Sequence, residues 1–329
     1  MGVLLKDVAK SLNLSKATVS WILSGQGKAK GFSDTTIALV QERAKEMGYS
    51  PNLLARSLSV GSTRTLGLII PAIDDTFYSQ MAEAVEKRAH TCGYTLIIST
   101  SERDGKKEQQ LIETLRAQQV DGLIIAPAKG ELSAIRAMLR SNYPFVFIDR
   151  YYPMLRSNYV IVNNEQSSYD LVSRLIDKGS RKIALMTTDT HLMVMNMRIR
   201  GYCKALAKAG IKTDNSLFVS VNRADYSKDI ITKLDELLQQ HPDVDGFFFS
   251  THYLALETMR YFIKNNIDYH RRFNMACFHT TTALDILAPE MIVSLMPIEQ
   301  MGASAVDILM ENIKQKDSFK FQEIVLQMK

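Results

Sequence analysis

Cysteine, tryptophan and long apolar runs are all scarce in this chain. The three cysteines, Cys92, Cys203 and Cys277, are odd in number and far apart, with no metal-ligand spacing. They exclude a disulfide framework and read as small buried residues. No run of eighteen apolar residues occurs, and the first apolar stretch, MGVLLKDVAKSL, is broken by charges. Neither a membrane span nor a secretory leader is therefore expected, and a cytoplasmic location follows by default. The six histidines include no HxxxH pair, so no metal site is expected. Also missing are GxGxxG after a strand, GxxxxGKS/T, GxSxG and HExxH. The dinucleotide, nucleotide-hydrolysis and common hydrolase chemistries fall away with them. No catalytic residue and no cofactor is expected, and the chain does not read as an enzyme.

What is present is 329 residues, enough for two or three domains, of which 46% are hydrophobic. The formal charge of +5 is unevenly spread. Up to Val60 eight bases (Lys6, Lys10, Lys16, Lys28, Lys30, Arg43, Lys45, Arg56) face four acids (Asp7, Asp34, Glu42, Glu46), so the head holds +4 and the rest +1. A small basic head on a nearly neutral body suits a polyanion-binding module joined to a unit with a different ligand.

Periodicity gives the head its form. Leu5, Val8, Ala9 and Leu12 share one helical face, Asn13 and Leu14 interrupt, and Ser15 caps a second helix with the stripe Val19, Ile22, Leu23. Ala9 is small where two helices cross, and Asn13 tolerates a left-handed turn. Ser33-Asp34 opens a third helix through Thr36, Ile37, Val40, Ala44 and Met47, stopped by Gly48 before Tyr49-Ser50-Pro51. This is a helix-turn-helix unit. Ser15, Lys16, Ala17, Ser20 and Trp21 lie off the apolar stripe of the second helix and face outward. In such units the second helix enters the major groove, so Lys16 can donate to guanine or phosphate and Ala17 can meet a thymine methyl. Trp21, the only tryptophan, is either a reader of bases or a ring folded over the edge of a small domain.

From Thr65 onward short apolar runs alternate with amphipathic segments: LGLII, Phe77 to Cys92, TLIIST, Lys106 to Gln118, DGLIIAP, Glu131 to Ser141, PFVFID and VIVNN. The cycle resumes with KIALMTT, LFVSV, DGFFFS and NMACF. Such βα repetition predicts doubly wound parallel sheets covered on both faces, and the length fits two lobes. A ligand cleft is expected between the lobes, at the C-terminal ends of strands. Lys178, Arg181 and Lys182 read as a solvated turn, and Met193, Met195 and Met197 as helix onset and plastic packing.

The stretches LKDVAKSLNLSKATVSWILSG and FSDTTIALVQERAKEMGYSPNLLARSLSVGSTRTLGLIIP resemble the lactose/galactose repressor family of bacterial transcription regulators, and the similarity covers nearly the whole chain. The resemblance implies an N-terminal all-α helix-turn-helix head, residues 1–50, and a hinge helix and linker, 51–64. It also implies an α/β two-lobed periplasmic-binding-protein-like body, 65–329, for effector binding and dimerisation. The first lobe is expected over 65–164 and 297–316, the second over 165–290 and 318–329, with the last strand in the second. Ser15, Lys16, Ala17, Thr18 and Trp21 stand at the positions that touch operator DNA. Trp21 replaces the family's frequent histidine or arginine and leaves the operator sequence open.

Leu58 matches the hinge leucine that wedges into the minor groove, with Arg56 beside phosphate or the groove floor. Ser57, Ser59, Gly61 and Ser62 would keep that segment marginal as an isolated helix. The family's cleft positions fall on Phe77, Tyr78, Arg150, Arg198, Arg223, His252 and His279. Arg198 offers a fixed guanidinium fork for hydroxyl pairs or carboxylates. Phe77 and Tyr78 are a sugar-facing pair or core. His252 and His279 replace aspartates that accept from sugar hydroxyls in many members; a neutral histidine accepts only one bond. An acidic or phosphorylated effector, or a degenerate cleft, would account for that departure. Family members usually continue past FKFQEIVLQMK with a short arginine-containing tail.

The reading that results is a homodimeric repressor in carbohydrate metabolism. It binds a near-palindromic operator under allosteric control by a sugar or sugar derivative, with no membrane partner. A ligand-independent DNA-binding protein and a regulator whose effector is a protein stay open beside it; a solute receptor or enzyme on the same body is disfavoured by the basic head.

Overall fold

The structure is a computed structural model that describes residues 3–49, 61–130, 132–188, 190–222, 226–315 and 321–329. It divides into two compact units, Met1–Arg64 and Thr65–Lys329. In the first, α1 (Leu5–Ser11), α2 (Lys16–Leu23) and α3 (Asp34–Glu46) enclose Val8, Ala9, Val19, Ile22, Val40 and Ala44. Local chemistry sets their boundaries. Asn13 takes φ +56 between α1 and α2, where its short polar side chain costs less than most others. Ser15 accepts from the Thr18 amide at 3.0 Å and Ser33 from the Thr36 amide at 3.2 Å, so each side chain satisfies a donor that its helix leaves orphaned. Gly48 at φ +66 ends α3.

The second unit begins with β1 (Thr65–Ile70), α4 (Thr76–Thr91), β2 (Thr95–Thr100), α5 (Gly105–Ala117), β3 (Gly122–Ile125), α6 (Ser133–Arg140), β4 (Phe145–Ile148) and β5 (Tyr159–Val162). It continues with α7 (Asn164–Asp177), β6 (Ile183–Thr188), α8 (Met193–Lys208), β7 (Phe218–Val221), α9 (Tyr226–Gln240), β8 (Gly246–Phe249), α10 (His252–Lys264), α11 (Tyr269–Arg272) and β9 (Asn274–Phe278). The last elements are α12 (Thr282–Leu287), β10 (Ile292–Ser294), α13 (Ile298–Lys314) and β11 (Glu323–Leu326).

Two sheets result, ordered β11-β5-β4-β3-β1-β2 and β10-β9-β8-β6-β7. Every ladder is parallel, with Leu66 opposite Gly122 in the first and Ile183 opposite Gly246 in the second. The central strands are buried on both faces, which is why they read as unbroken apolar runs. On the first sheet, α4 and α13 cover one face (Met81, Val85, Met301, Leu309) and α5 and α6 the other (Ile112, Leu115, Ile135, Met138). In the second lobe α7 and α8 pack tightly at Gly201. A Cβ there would meet the Glu165 carbonyl oxygen at 2.2 Å.

The last strand corrects one expectation. β11 does not join the second lobe: Glu323 to Leu326 pair with Tyr159 to Val162 at the edge of the first sheet. The free edge of β5 draws it there, and Asn158 and Asn163 add bonds to Gln322, Gln327 and Met328. Only the end of the tail reaches the second lobe, where Lys329 and Leu295 exchange backbone hydrogen bonds at 2.7 and 3.1 Å. Among the described residues no helix is long and apolar enough to cross a membrane.

Candidate functional site

In the head, Ser15, Lys16, Ala17, Ser20 and Trp21 are exposed and Thr18 is half-buried, so α2 turns one continuous face outward. Ser15 and Thr18 also join side chain to side chain at 2.9 Å, which fixes the start of that face. Trp21 is 39% exposed and absent from the core. Its ring leans on Phe32 at 6.5 Å, and Lys30 Nζ stands 5.2 Å from its centroid. A supported but uncovered indole beside a cation is therefore available to a ligand. Arg56 and Leu58 lie outside the described residues, as does Arg223.

In the body, side chains from both lobes meet at the strand ends. From the first lobe, Asp75 caps α4 by accepting from the Phe77 amide at 3.1 Å, which orients Phe77 and Tyr78 inward. Strand β4 is followed by Asp149, whose φ of +66 lies in the left-handed region, a conformation that aspartate tolerates better than most residues other than glycine. That turn aims its carboxylate at Tyr78, whose hydroxyl donates to Oδ2 at 2.7 Å, while Arg150 Nε stands 3.3 Å from the same oxygen. Arg150 also donates to the Pro127 carbonyl at 3.3 Å. Burial drives the Tyr78 hydroxyl well above its ordinary pKa, so it remains a donor.

From the second lobe, Arg198 on α8 is only 4% exposed. Its Nε donates to Asn164 Oδ1 at 2.8 Å and its Nη1 to the Ser250 carbonyl at 2.6 Å. Its guanidinium lies 3.6 Å from the Phe278 ring centroid. Loss of hydration pulls its pKa down to about 10, which still leaves it charged at neutral pH. Arg198 is thus no surface ion-pair former: among the described residues no carboxylate pairs with it.

His279, at φ +76, accepts from the Met296 amide through Nδ1 at 3.4 Å. Burial, then His252 and Arg198, lower its pKa to about 4, so it is neutral. His252 opens α10 and reaches across to the first lobe, its Nε2 standing 3.5 Å from Asp75 Oδ1. The Phe77 and His279 rings also meet across the cleft at 5.9 Å.

These groups line a narrow cavity of about 40 Å³, room for a few water molecules. An outer chamber of about 360 Å³ shares Asp75, His252 and Tyr253 with it. Ligand pockets commonly exceed 300 Å³, so a sugar-sized molecule reaches Arg198 only when the lobes part. Phe77, Tyr78, Arg150, Arg198 and His252 all line the inner cavity, with His279 in contact through His252 and Phe77. Sequence reading missed Asp149, Asn164 and Thr251. Asp149 carries a clue only in hindsight, as the acid directly after an apolar strand; nothing in the sequence marks the other two. Met195, taken as packing, lines the cavity as well.

Among known proteins, residues 63–325 match the family model described as periplasmic binding proteins and sugar binding domain of the LacI family. The catabolite control protein A of Priestia megaterium is 27% identical over 311 residues, covering 94% of this chain and 92% of that protein. The ribose operon repressor of Haemophilus influenzae is 26% identical over 323 residues, covering 98% and 95%. In fold, the lac repressor dimer bound to operator and the anti-inducer ONPF superimposes with a TM-score of 0.85 at 21% identity, over 100% of this chain and 97% of that one.

Proposed function

The chain belongs to the LacI family, and from that premise we propose that it is a sequence-specific DNA-binding transcriptional regulator, acting as a repressor in the cytoplasm and carrying out no catalysis. The observation that carries the reading is the outward face of α2, with Lys16, Ala17 and Trp21 exposed beyond a Ser15 cap. Two protomers pair through their bodies and set two such faces on a near-palindromic operator. The segment 51–64 serves as the hinge, with Leu58 as minor-groove wedge and Arg56 beside it.

The inner cavity is the effector site, and the effector is a sugar or sugar derivative. Phe77, Tyr78, Arg150, Arg198, His252 and His279 contact it, together with Arg223. Ligand changes the angle between the lobes and with it the spacing of the paired hinges, so DNA and effector affinities are reciprocally coupled. Coupling of this kind amounts to about 5- to 150-fold in affinity.

One observation favours a second reading. The inner cavity is small, and Tyr78 and Arg150 both already engage Asp149, as in a regulator that binds DNA without a small molecule. The test is fluorescence anisotropy of the full-length protein on its selected operator, titrated with sugars and sugar acids. A shift of fivefold or more supports effector control. Operator binding that no such compound moves supports the ligand-independent regulator.

A further inference from the structure

We propose that the effector is a small monocarboxylate of the sugar-acid class, its carboxylate seated between the Arg198 guanidinium, the Thr251 hydroxyl and the N-terminus of α10. This rests on the inner cavity being the effector site.

The first support is a buried arginine with no directly paired carboxylate among the described residues. A buried cation is costly unless paired, and buried arginines usually meet a carboxylate. Arg150 does, at Asp149. Arg198, equally buried, is held among the described residues by the Asn164 amide oxygen, the Ser250 carbonyl and the Phe278 face. These bonds use two of its five donors. The cavity it lines therefore offers a fixed guanidinium that no carboxylate among the described residues pairs with directly, Asp149 acting on it only from a longer distance.

The second support is independent. Thr251 is 7% exposed, lines the same cavity, and its Oγ1 has no hydrogen-bond partner among the described residues. It is the N-cap residue of the 13-residue α10, yet its side chain caps nothing. A buried hydroxyl left unsatisfied costs free energy that a ligand oxygen would recover. Because the Ser250 carbonyl holds Arg198, the next residue brings this hydroxyl and the helix start beside the guanidinium. The N-terminus of a helix adds N–H donors and positive potential, which favour an anion.

The same walls limit the anion's charge. Asp149 and Asp75 also line the cavity, so a phosphate dianion would face two carboxylates, whereas one carboxylate balances one guanidinium. Asp149 and His252 remain for hydroxyl groups, and Phe77 and Phe278 supply flat apolar faces for the carbon skeleton.

The test is isothermal titration of the full-length protein with gluconate, glucuronate and galacturonate beside glucose, galactose and glucose 6-phosphate. The expected result is binding of at least one carboxylate, with its neutral parent at least tenfold weaker and the phosphate ester no tighter than the neutral sugar. Thr251→Val, which keeps the shape and removes the hydroxyl, should weaken the carboxylate about tenfold, as expected for a hydrogen bond to a charged group. Arg198→Gln should weaken it further, and melting curves show whether each variant is folded. A neutral parent that binds as tightly as its acid, or a phosphate ester that binds more tightly, overturns the sugar-acid class and leaves the effector site standing. If no compound binds, the class falls; if in addition none moves operator affinity, the effector reading falls with it.

Discussion

Replacing Gly201 by alanine tests the packing that holds the cleft together. A methyl group at this position of α8 would lie 2.2 Å from the Glu165 carbonyl oxygen, 2.7 Å from Ser168 Cβ and 2.9 Å from the Tyr169 amide nitrogen, all on α7. Two of these obstacles are backbone atoms, so no side-chain rotation relieves them and the helices must part by about 1 Å to restore ordinary carbon-to-oxygen contact. Overpacking of this kind costs about 1–3 kcal/mol, here toward the upper end. The better helix propensity of alanine returns about 0.8–1 kcal/mol, so the net loss is about 2 kcal/mol. For a body of this size that corresponds to a fall in Tm of about 4–8 °C, read by circular dichroism. Because α7 carries Asn164 and α8 carries Arg198, the same separation stretches their 2.8 Å hydrogen bond and should weaken effector binding. An unchanged or higher Tm would refute the close-packing argument.

In the head, the only tryptophan makes fluorescence a report on that unit alone. By this measure Asn13→Val should lower head stability by about 1–3 kcal/mol, because φ +56 strains a β-branched residue, and Asn13→Gly should leave it within a few tenths; equal losses would contradict the left-handed turn. Trp21→Ala should relax half-site preference by about tenfold, the value of one lost base contact, without changing the salt dependence of binding; unaltered preference would make the indole structural. Glu108 is buried, accepts from the Ala128 amide at 2.6 Å, and burial lifts its carboxyl from 4.5 to about 7. The folded state therefore keeps a proton that the unfolded chain releases, and this contribution to stability falls as pH rises from about 4.5 through about 7. His279, lowered to about 4, acts oppositely, losing stability as pH falls from about 6.5 through about 4. The difference between the wild-type protein and Glu108→Gln in urea unfolding cancels the histidine. It should show the variant gaining a few kcal/mol in relative stability between pH 5 and 8; parallel pH profiles would contradict the buried acid.

The three head helices were legible because their boundaries are local: Ser15, Ser33, Asn13 and Gly48 each act on their own turn. The alternating strands and helices of the body were legible because burial on both faces leaves continuous apolar runs. β10, three residues long and partly covered, carries too short a pattern to stand out. β11 was misassigned because its partner is chosen by the free edge of β5 and by Asn158 and Asn163, more than 150 residues away. The cleft was half legible. Arg198 and the aromatic pair could be placed by position in the family pattern. Asp149 depends on a left-handed turn, Asn164 on an interaction with α8, and Thr251 on an unmet hydroxyl, and none of these is written in local sequence.

The most direct test of the central claim is selection of bound duplexes from a random DNA pool by the full-length protein at a fixed, stated salt concentration. The account predicts enrichment of a near-palindromic site whose half-site sequence relaxes with Trp21→Ala and whose affinity falls with Leu58→Ala. Recovery of no preferred sequence, with all binding lost as salt rises, would contradict it.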